Sequence, residues 1–405
     1  MPVDLLIHNA NETVCFDEGR IKILLSTSIA CEKNQIVWMG SKLPESLSLT
    51  ESTKIIDATG KVVLPGLIDS HTHSVFAGSR EGEFEQKLEG ATYLEIAEKG
   101  GGIKSTMRAT RTASKEELVA IGKRRMSRAL AMGITTVEIK SGYGLSTNDE
   151  MKMLEAIDAL RQESDVRVIS TFLGAHTVPP EYSGRSGDYI SLICEEMLPA
   201  VAERNLAQYC DAFCEKGAFS LEETRRLFFA AQKYGLKLKL HADQLTNSKG
   251  AELCAEMGAV SADHLESISE EGIKALGRSG KTVAGLLPGC SFFLRMQYPP
   301  ARRLIDAGVP VALATDFNPG SCMTQNLPMI MSIACTQMRM TTAEVIQAVT
   351  LNAAKALNRR DIGNLAPGLT ADIAIFDVPS FRYIPYHFAQ NHVSIVIKSG
   401  KVVVS

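Results

Sequence analysis

Through the middle of the chain, short runs of nearly continuous apolar residues alternate with longer stretches in which apolar positions recur every three or four residues. A run apolar on both faces reads as a strand covered on both sides, as in a parallel sheet, and the 3.6 period reads as an amphipathic helix. The pattern predicts eight strands, at 62–71, 135–140, 166–174, 209–214, 237–241, 259–264, 282–287 and 310–314. Helices are predicted at 115–132, 147–163, 189–204, 221–234, 249–257, 268–276, 300–307 and 342–357. Eight strand–helix repeats argue for an α/β fold of the closed (β/α)8 TIM-like barrel type. An open doubly wound sheet would carry a glycine-rich phosphate turn after its first strand. Here that position reads Ser70-His71-Thr72-His73.

Both ends of the chain are patterned differently. Short strands separated by turns are predicted at 4–8, 21–25 and 35–39, and again at 371–377, 393–398 and 401–404. Two β-rich ends around a different middle predict one small β-sandwich domain built from both termini, residues 1–62 and 367–405, with the barrel at 63–366. Between the first two barrel strands, a long segment at 77–113 contains Gly100-Gly101-Gly102, read as a flexible loop, and is expected to act as a lid.

Composition adds exclusions. Apolar residues make up 45% of the chain and charged residues 22%, the balance of a globular protein. A net charge of -3 argues against nucleic acid as a partner, and no apolar run is long enough for a membrane span. The first residues, Met1-Pro2-Val3-Asp4-Leu5-Leu6-Ile7, have neither the basic segment nor the apolar core of a signal peptide, so a cytoplasmic location is expected. Nine cysteines without a Cys-x-x-Cys pair suit a reducing compartment and speak against a thiolate metal site.

The chemistry concentrates on histidine. Residues two apart on a strand face the same side, so His71 and His73 can present two imidazoles to one point, half of a metal site. In a (β/α)8 barrel the active site lies at the C-terminal ends of the strands. Five of the eight histidines fall on that rim, namely His71, His73, His176, His241 and His264. Asp316 ends the eighth strand; taken alone, it could equally cap a following helix. Arg80 follows the first strand, Ser141-Gly142-Tyr143-Gly144 the second, and Glu215-Lys216 the fourth.

Pro65-Gly66-Leu67-Ile68-Asp69-Ser70-His71-Thr72-His73 resembles the opening motif of the amidohydrolase superfamily, and 366–373 resembles that family's return into its small β domain. The resemblance covers nearly the whole chain. It implies a metal held by His71, His73, His241 and Asp316, with water completing the shell. Three imidazoles and one carboxylate suit zinc or iron, and one such divalent or trivalent ion per chain is expected. Water in the open position would be acidified toward neutral pH. Asp316 could take its proton, and His264 could stabilise the developing oxyanion or shuttle a proton. Relatives with two metals bridge them with a modified lysine or a glutamate at strand four, where Glu215 and Lys216 stand.

Within the superfamily, 71–80, 140–145, 172–176, 239–243 and 314–321 together resemble the imidazolonepropionases, a mononuclear branch. That resemblance implies hydrolysis of 4-imidazolone-5-propanoate to N-formimidoyl-L-glutamate, a small-molecule substrate, and the expectation of a homodimer. A propanoate tail needs a cation, and the guanidinium fork of Arg80 matches a carboxylate. Tyr143, between glycines, can bond ring or tail, and His176 can bond the ring. Asn318, Gly320 and Ser321 resemble the family's contacts to substrate or product. Some members carry Glu where this chain has Gln244; a neutral amide would orient substrate or water, leaving base duty to Asp316 or His264. Deaminases of cytosine or guanine type would share the metal set without needing Arg80, and cyclic-amide hydrolases of dihydroorotase type would prefer two metals.

Overall fold

Pro65 and Gly66 divide the chain's first long apolar run between two sheets. The pattern predicts one strand over 62–71. In the computed structural model, which describes residues 2–90, 95 and 100–405, Val62–Pro65 (β5) pairs in the sheet of the termini and Leu67–Thr72 (β6) opens the barrel. Proline has no N–H to continue a ladder. Gly66 instead donates its N–H to Asp372 O at 2.8 Å, and a side chain there would collide with that of Thr135.

The terminal sheet comprises β1 (Leu5–Asp17), β2 (Arg20–Glu32), β3 (Gln35–Gly40), β4 (Lys54–Asp57), β5, β14 (Ile373–Phe376), β15 (Val393–Lys398) and β16 (Lys401–Val404). Its order is β16-β15-β14-β5-β1-β2-β3, with β4 also on β1. β1 and β2 run much longer than their apolar stretches predict. A register shift between Ile7 and Ala10, with Asn9 at φ 57°, carries β1 across its polar interruption as a bulge and bends it. The bend lets the far edge return: Gln35 bridges Thr370, and Ile36 donates to Leu369 O at 2.9 Å. The sheet thereby curls, sandwich-like, around Ile7, Ile29, Ile36, Val63, Ile373 and Ile375.

The barrel follows the predicted strand–helix repeat. Its strands are β6, β7 (Ile134–Lys140), β8 (Arg167–Ala175), β9 (Tyr209–Cys214), β10 (Lys237–Ala242), β11 (Ser261–His264), β12 (Val283–Leu286) and β13 (Val311–Leu313), adjacent in chain order and parallel throughout. A parallel bridge from Thr72 to Phe317, just beyond β13, joins the first strand to the last. Two predicted helices are broken. The one at 189–204 passes through a π turn, Ile193–Met197, immediately before Pro199. The one at 342–357 splits into Thr342–Ala348 and Leu351–Ala356, because Val349 O accepts the N–H of Ile68 at 2.9 Å. The buried helix Leu327–Gln337 is apolar on nearly every face, and no amphipathic period announces it. The expected lid at 77–113 contains helices Glu81–Leu88 and Ile103–Thr112; its residues 91–94 and 96–99 lie outside the described residues. Among the described residues no helix is long and apolar enough to cross a membrane.

Helix Leu221–Lys233 begins in a reciprocal cap: Ser220 Oγ accepts from Glu223 N at 3.2 Å, and Glu223 Oε2 accepts from Ser220 N at 2.8 Å. Ser220→Ala is expected to lower unfolding stability by ~1 kcal/mol, read as a lower urea midpoint at unchanged slope. An unchanged midpoint would show that tertiary packing alone sets this helix start.

Candidate metal centre and its cavity

The hydrogen bonds that close the barrel also assemble its most polar corner. Asp316 donates its N–H to His71 O at 3.1 Å, and His73 donates to Phe317 O at 3.0 Å. Beneath them Asp69 accepts from Thr315 N at 3.0 Å and from Thr315 Oγ1 at 2.6 Å, tying the first strand to the residue before Asp316. The backbone at Asp316 and His264 is left-handed, with φ 53° and 80°. Such conformations cost free energy for non-glycine residues and concentrate at functional sites.

Four side chains converge there. Asp316 Oδ1 lies 3.6 Å from His71 Nε2 and 3.5 Å from His73 Nε2, and His73 Nε2 lies 3.4 Å from His241 Nε2. A tetrahedral ion with bonds of 2.0–2.1 Å needs donors about 3.3–3.4 Å apart, which these three separations approach. The sets containing these donors that lie wholly within 4.8 Å among the described residues are His71–His73–Asp316, His73–His176–His241 and His71–His241–His264, so closing all four on one ion takes some movement. His71 Nε2 is buried and has no hydrogen-bond partner, the signature of a lone pair kept for a ligand. Burial, reinforced by neighbouring cationic groups, holds His71 and His73 well below the usual imidazole pKa, hence neutral and able to ligate.

Behind the rings stand carboxylates. His71 Nδ1 is 2.8 Å from Asp263 Oδ2, and His241 Nδ1 is 3.2 Å from Asp211 Oδ2. The hydrogen bond to Asp263 fixes the tautomer that leaves Nε2 of His71 free, while Asp211 stands at ion-pair distance from His241 without hydrogen-bond geometry. Deeper still lie Glu138, Lys140 and Lys239, all fully buried. Lys140 Nζ is 2.9 Å from Glu138 and 2.7 Å from Asp211; Lys239 Nζ is 3.3 Å from Glu138 and donates to Ser70 O at 3.0 Å. Burial alone would raise Asp211, but Lys140 and His241 outweigh it and hold the carboxyl well below its usual range.

The remaining predicted residues line one cavity of about 590 Å3: Arg80, Tyr143, His176, Gln244, His264, Asn318, Gly320 and Ser321, together with His73, His241 and Asp316. His176 stacks on His73, centroids 5.0 Å apart, and its Nδ1 is 3.0 Å from Gly142 O. Glu150 accepts the N–H groups of Gly144 and Leu145, both at 2.8 Å, and so fixes the loop that presents Tyr143. Arg80 uses its Nε toward Glu83 Oε2 at 2.8 Å, and its Nη1 packs against Gly320. Asn318 is committed to its own turn: its amide donates to Asp316 O and Ser321 Oγ, both at 2.7 Å, while its carbonyl accepts from Gly320 and Ser321 N, both at 2.8 Å. Ser321 Oγ donates to Asp316 Oδ2 at 3.2 Å. Gln244 Nε2 approaches Cys290 Sγ at 3.5 Å.

Glu215 and Lys216, the candidates for bridging a second ion, point to other work. Glu215 accepts from the backbone of Leu245 at 2.8 Å and Thr246 at 3.2 Å and from the Thr246 hydroxyl, pinning the loop after β10. Lys216 is exposed at the cavity mouth. Sequence reasoning missed Asp211, Asp263, Glu138, Lys140, Lys239 and Glu150. For all but Glu150, which lies in the helix Thr147–Glu163, the available signal was a charged residue inside an otherwise apolar strand, which calls for a buried partner.

A sequence model of the amidohydrolase family matches residues 62–403. The chain is 52% identical to a protein of Alkaliphilus oremlandii named imidazolonepropionase, over 93% of this chain and 90% of the other. It is 47% identical to one of the same name from Alkaliphilus metalliredigens, over 100% and 99%. Among solved structures, a triazine hydrolase from Arthobacter aurescens superposes with a TM-score of 0.77 at 19% identity, covering 99% of this chain and 94% of that one, a likeness of fold.

Dialysis of apoprotein against zinc is expected to load about one ion per chain, since Glu215, the candidate bridge to a second ion, is already engaged by Leu245 and Thr246. Glu215→Gln should leave that stoichiometry unchanged and His71→Ala should abolish it. Two ions per wild-type chain, or loss of zinc on changing Glu215, would contradict the assignment.

Proposed function

The chain belongs to the amidohydrolase family and, within it, to the imidazolonepropionases, and from that membership and the site's geometry we infer how it hydrolyses 4-imidazolone-5-propanoate to N-formimidoyl-L-glutamate. The observation that carries the reading is one cavity lined by His73, His241, Asp316 and Arg80, with His71 Nε2 beside it, 3.6 Å from Asp316 Oδ1. Those four donors would hold a single ion, zinc or iron. When bound, such an ion would supply acidified water and Lewis-acid polarisation.

Ring opening adds the water oxygen to the carbonyl carbon and breaks the bond from that carbon to the ring nitrogen, which takes a proton. Asp316 receives the proton from water. Before any ion binds, burial raises its carboxyl above the usual range, even against His264 and His241. His264 faces the developing oxygen charge. Burial would lower its pKa, but Glu266, 3.6 Å away, and Asp316 outweigh that and raise it, so the ring can keep a proton to donate. Tyr143 is pushed up by burial and by Asp316, so its hydroxyl stays protonated as a donor to the ring or tail. His176, pushed down to about 3 by burial and His241, stays neutral and can bond the ring without adding charge. Gln244 orients ring or water through its amide. Gly320 and Ser321 shape the wall, while Asn318 acts by holding their turn. Arg80 takes the propanoate through its Nη groups, its Nε being engaged by Glu83.

The direct test is turnover of synthetic 4-imidazolone-5-propanoate, followed by loss of its ultraviolet absorption. Asp316→Ala should abolish it, and full retained activity would sink the role of that carboxylate. Arg80→Met should lower kcat/KM by roughly thirty- to a thousand-fold, from ~2–4 kcal/mol for a charge-assisted pair in a closed site. The loss should fall mainly on KM, and metal content should be unchanged. Arg80→Lys should recover little, lacking the planar fork. If wild type and Arg80→Met discriminate equally against an analogue without the carboxylate, Arg80 is not the tail anchor.

A further inference from the structure

One side chain links the supports of two metal-binding rings. Lys140, at the end of β7, is fully buried. Its Nζ lies 2.7 Å from Asp211 Oδ2 and 3.8 Å from Asp263 Oδ2. Those same two oxygens face the rings: Asp211 Oδ2 is 3.2 Å from His241 Nδ1, and Asp263 Oδ2 is 2.8 Å from His71 Nδ1. Asp211 Oδ1 already accepts the N–H groups of Ala212 at 2.7 Å and His241 at 3.2 Å, so the ammonium acts on the other oxygen, the one that faces the ring. Lys239 duplicates only half of the arrangement: its Nζ lies 3.9 Å from Asp263 Oδ2, much as that of Lys140 does, but of the two lysines only Lys140 pairs with Asp211, and the hydrogen bond of Lys239 goes to Ser70 O.

We propose that Lys140 is a positioning residue for the metal, fixing the rings of His71 and His241 together through Asp263 and Asp211. The proposal rests on the reading of those two histidines as ligands. Replacing Lys140 leaves buried Asp211 without its ammonium partner and Asp263 with Lys239 alone, and a buried charge stripped of its partner reorganises its surroundings. The His241 ring then loses the ammonium behind its carboxylate, and the His71 ring loses one of the two behind its own.

The test compares purified apoproteins for zinc affinity, by competition with a chromophoric chelator, and for the visible absorption of their cobalt(II) forms. Lys140→Met should weaken zinc binding about 10–100-fold, the usual consequence of removing support behind a ligand, and should alter the cobalt spectrum. Should that variant fail to fold, Lys140→Gln, which keeps a donor but has a shorter reach, decides in the same way. Glu138→Gln is the control. Its carboxylate faces the same lysines but is bonded to neither ring, so zinc affinity and cobalt spectrum should stay near native even if thermal stability falls. A folded Lys140 variant with native zinc affinity and cobalt spectrum would overturn the proposal. So would an equal loss in Glu138→Gln, which would place the effect in the fold at large. Failure of wild-type protein itself to bind zinc or cobalt would instead refute the underlying reading of the ligands.

Discussion

Two ammonium groups facing three carboxylates, sealed inside the barrel beneath the imidazoles, are the interaction on which the rest of this structure depends. Charges so deep cost several kcal/mol each unless they are paired, and here the pairing runs across four strands. Glu138 and Lys140 come from β7, Asp211 from β9, Lys239 from β10 and Asp263 from β11. The set is therefore satisfied only when those strands stand in one register. The same carboxylates then tether two imidazoles from behind, so the arrangement that makes the charges tolerable also aims the rings. The excess of acidic groups, with Asp316 in front, leaves the corner suited to a cation.

The second constraint is barrel closure. His71 and His73 stand on the first strand and Asp316 follows the last, so the donor set exists only where the barrel's two ends are sewn together. The backbone bonds Asp316 N to His71 O and His73 N to Phe317 O make that seam. Specificity is layered on afterwards by loops: Glu150 sets Tyr143, Glu83 steadies Arg80, and Asn318 spends its own hydrogen bonds shaping a turn. This division between a rigid strand-borne centre and loop-borne recognition is what lets one barrel serve different substrates.

Much of this was legible in the sequence. Continuous apolar runs located the barrel strands, and the two-residue spacing of His71 and His73 pointed to a metal before any fold was known. Other features were hidden for physical reasons. The break at Val349 depends on a bond to Ile68, nearly three hundred positions away, which no local propensity contains. The length of β1 depends on a bulge at Asn9 that its polar residues disguise as a turn. Lys140 and Asp211 were visible as charges inside apolar strands, but which carboxylate meets which lysine follows from sheet register. Asn318, expected at the substrate, lines the cavity and also braces its own turn, a role set by contacts that its position in the chain does not reveal.

The central claim is that this site directs water to a ring carbonyl and opens the ring at the adjacent nitrogen. Turnover of 4-imidazolone-5-propanoate in 18O-labelled water, with the product analysed by mass spectrometry, tests it most directly. The account predicts N-formimidoyl-L-glutamate carrying one labelled oxygen in the newly formed carboxylate, with no ammonia released in that step. Release of ammonia in place of ring opening, or product without label in that carboxylate, would contradict it.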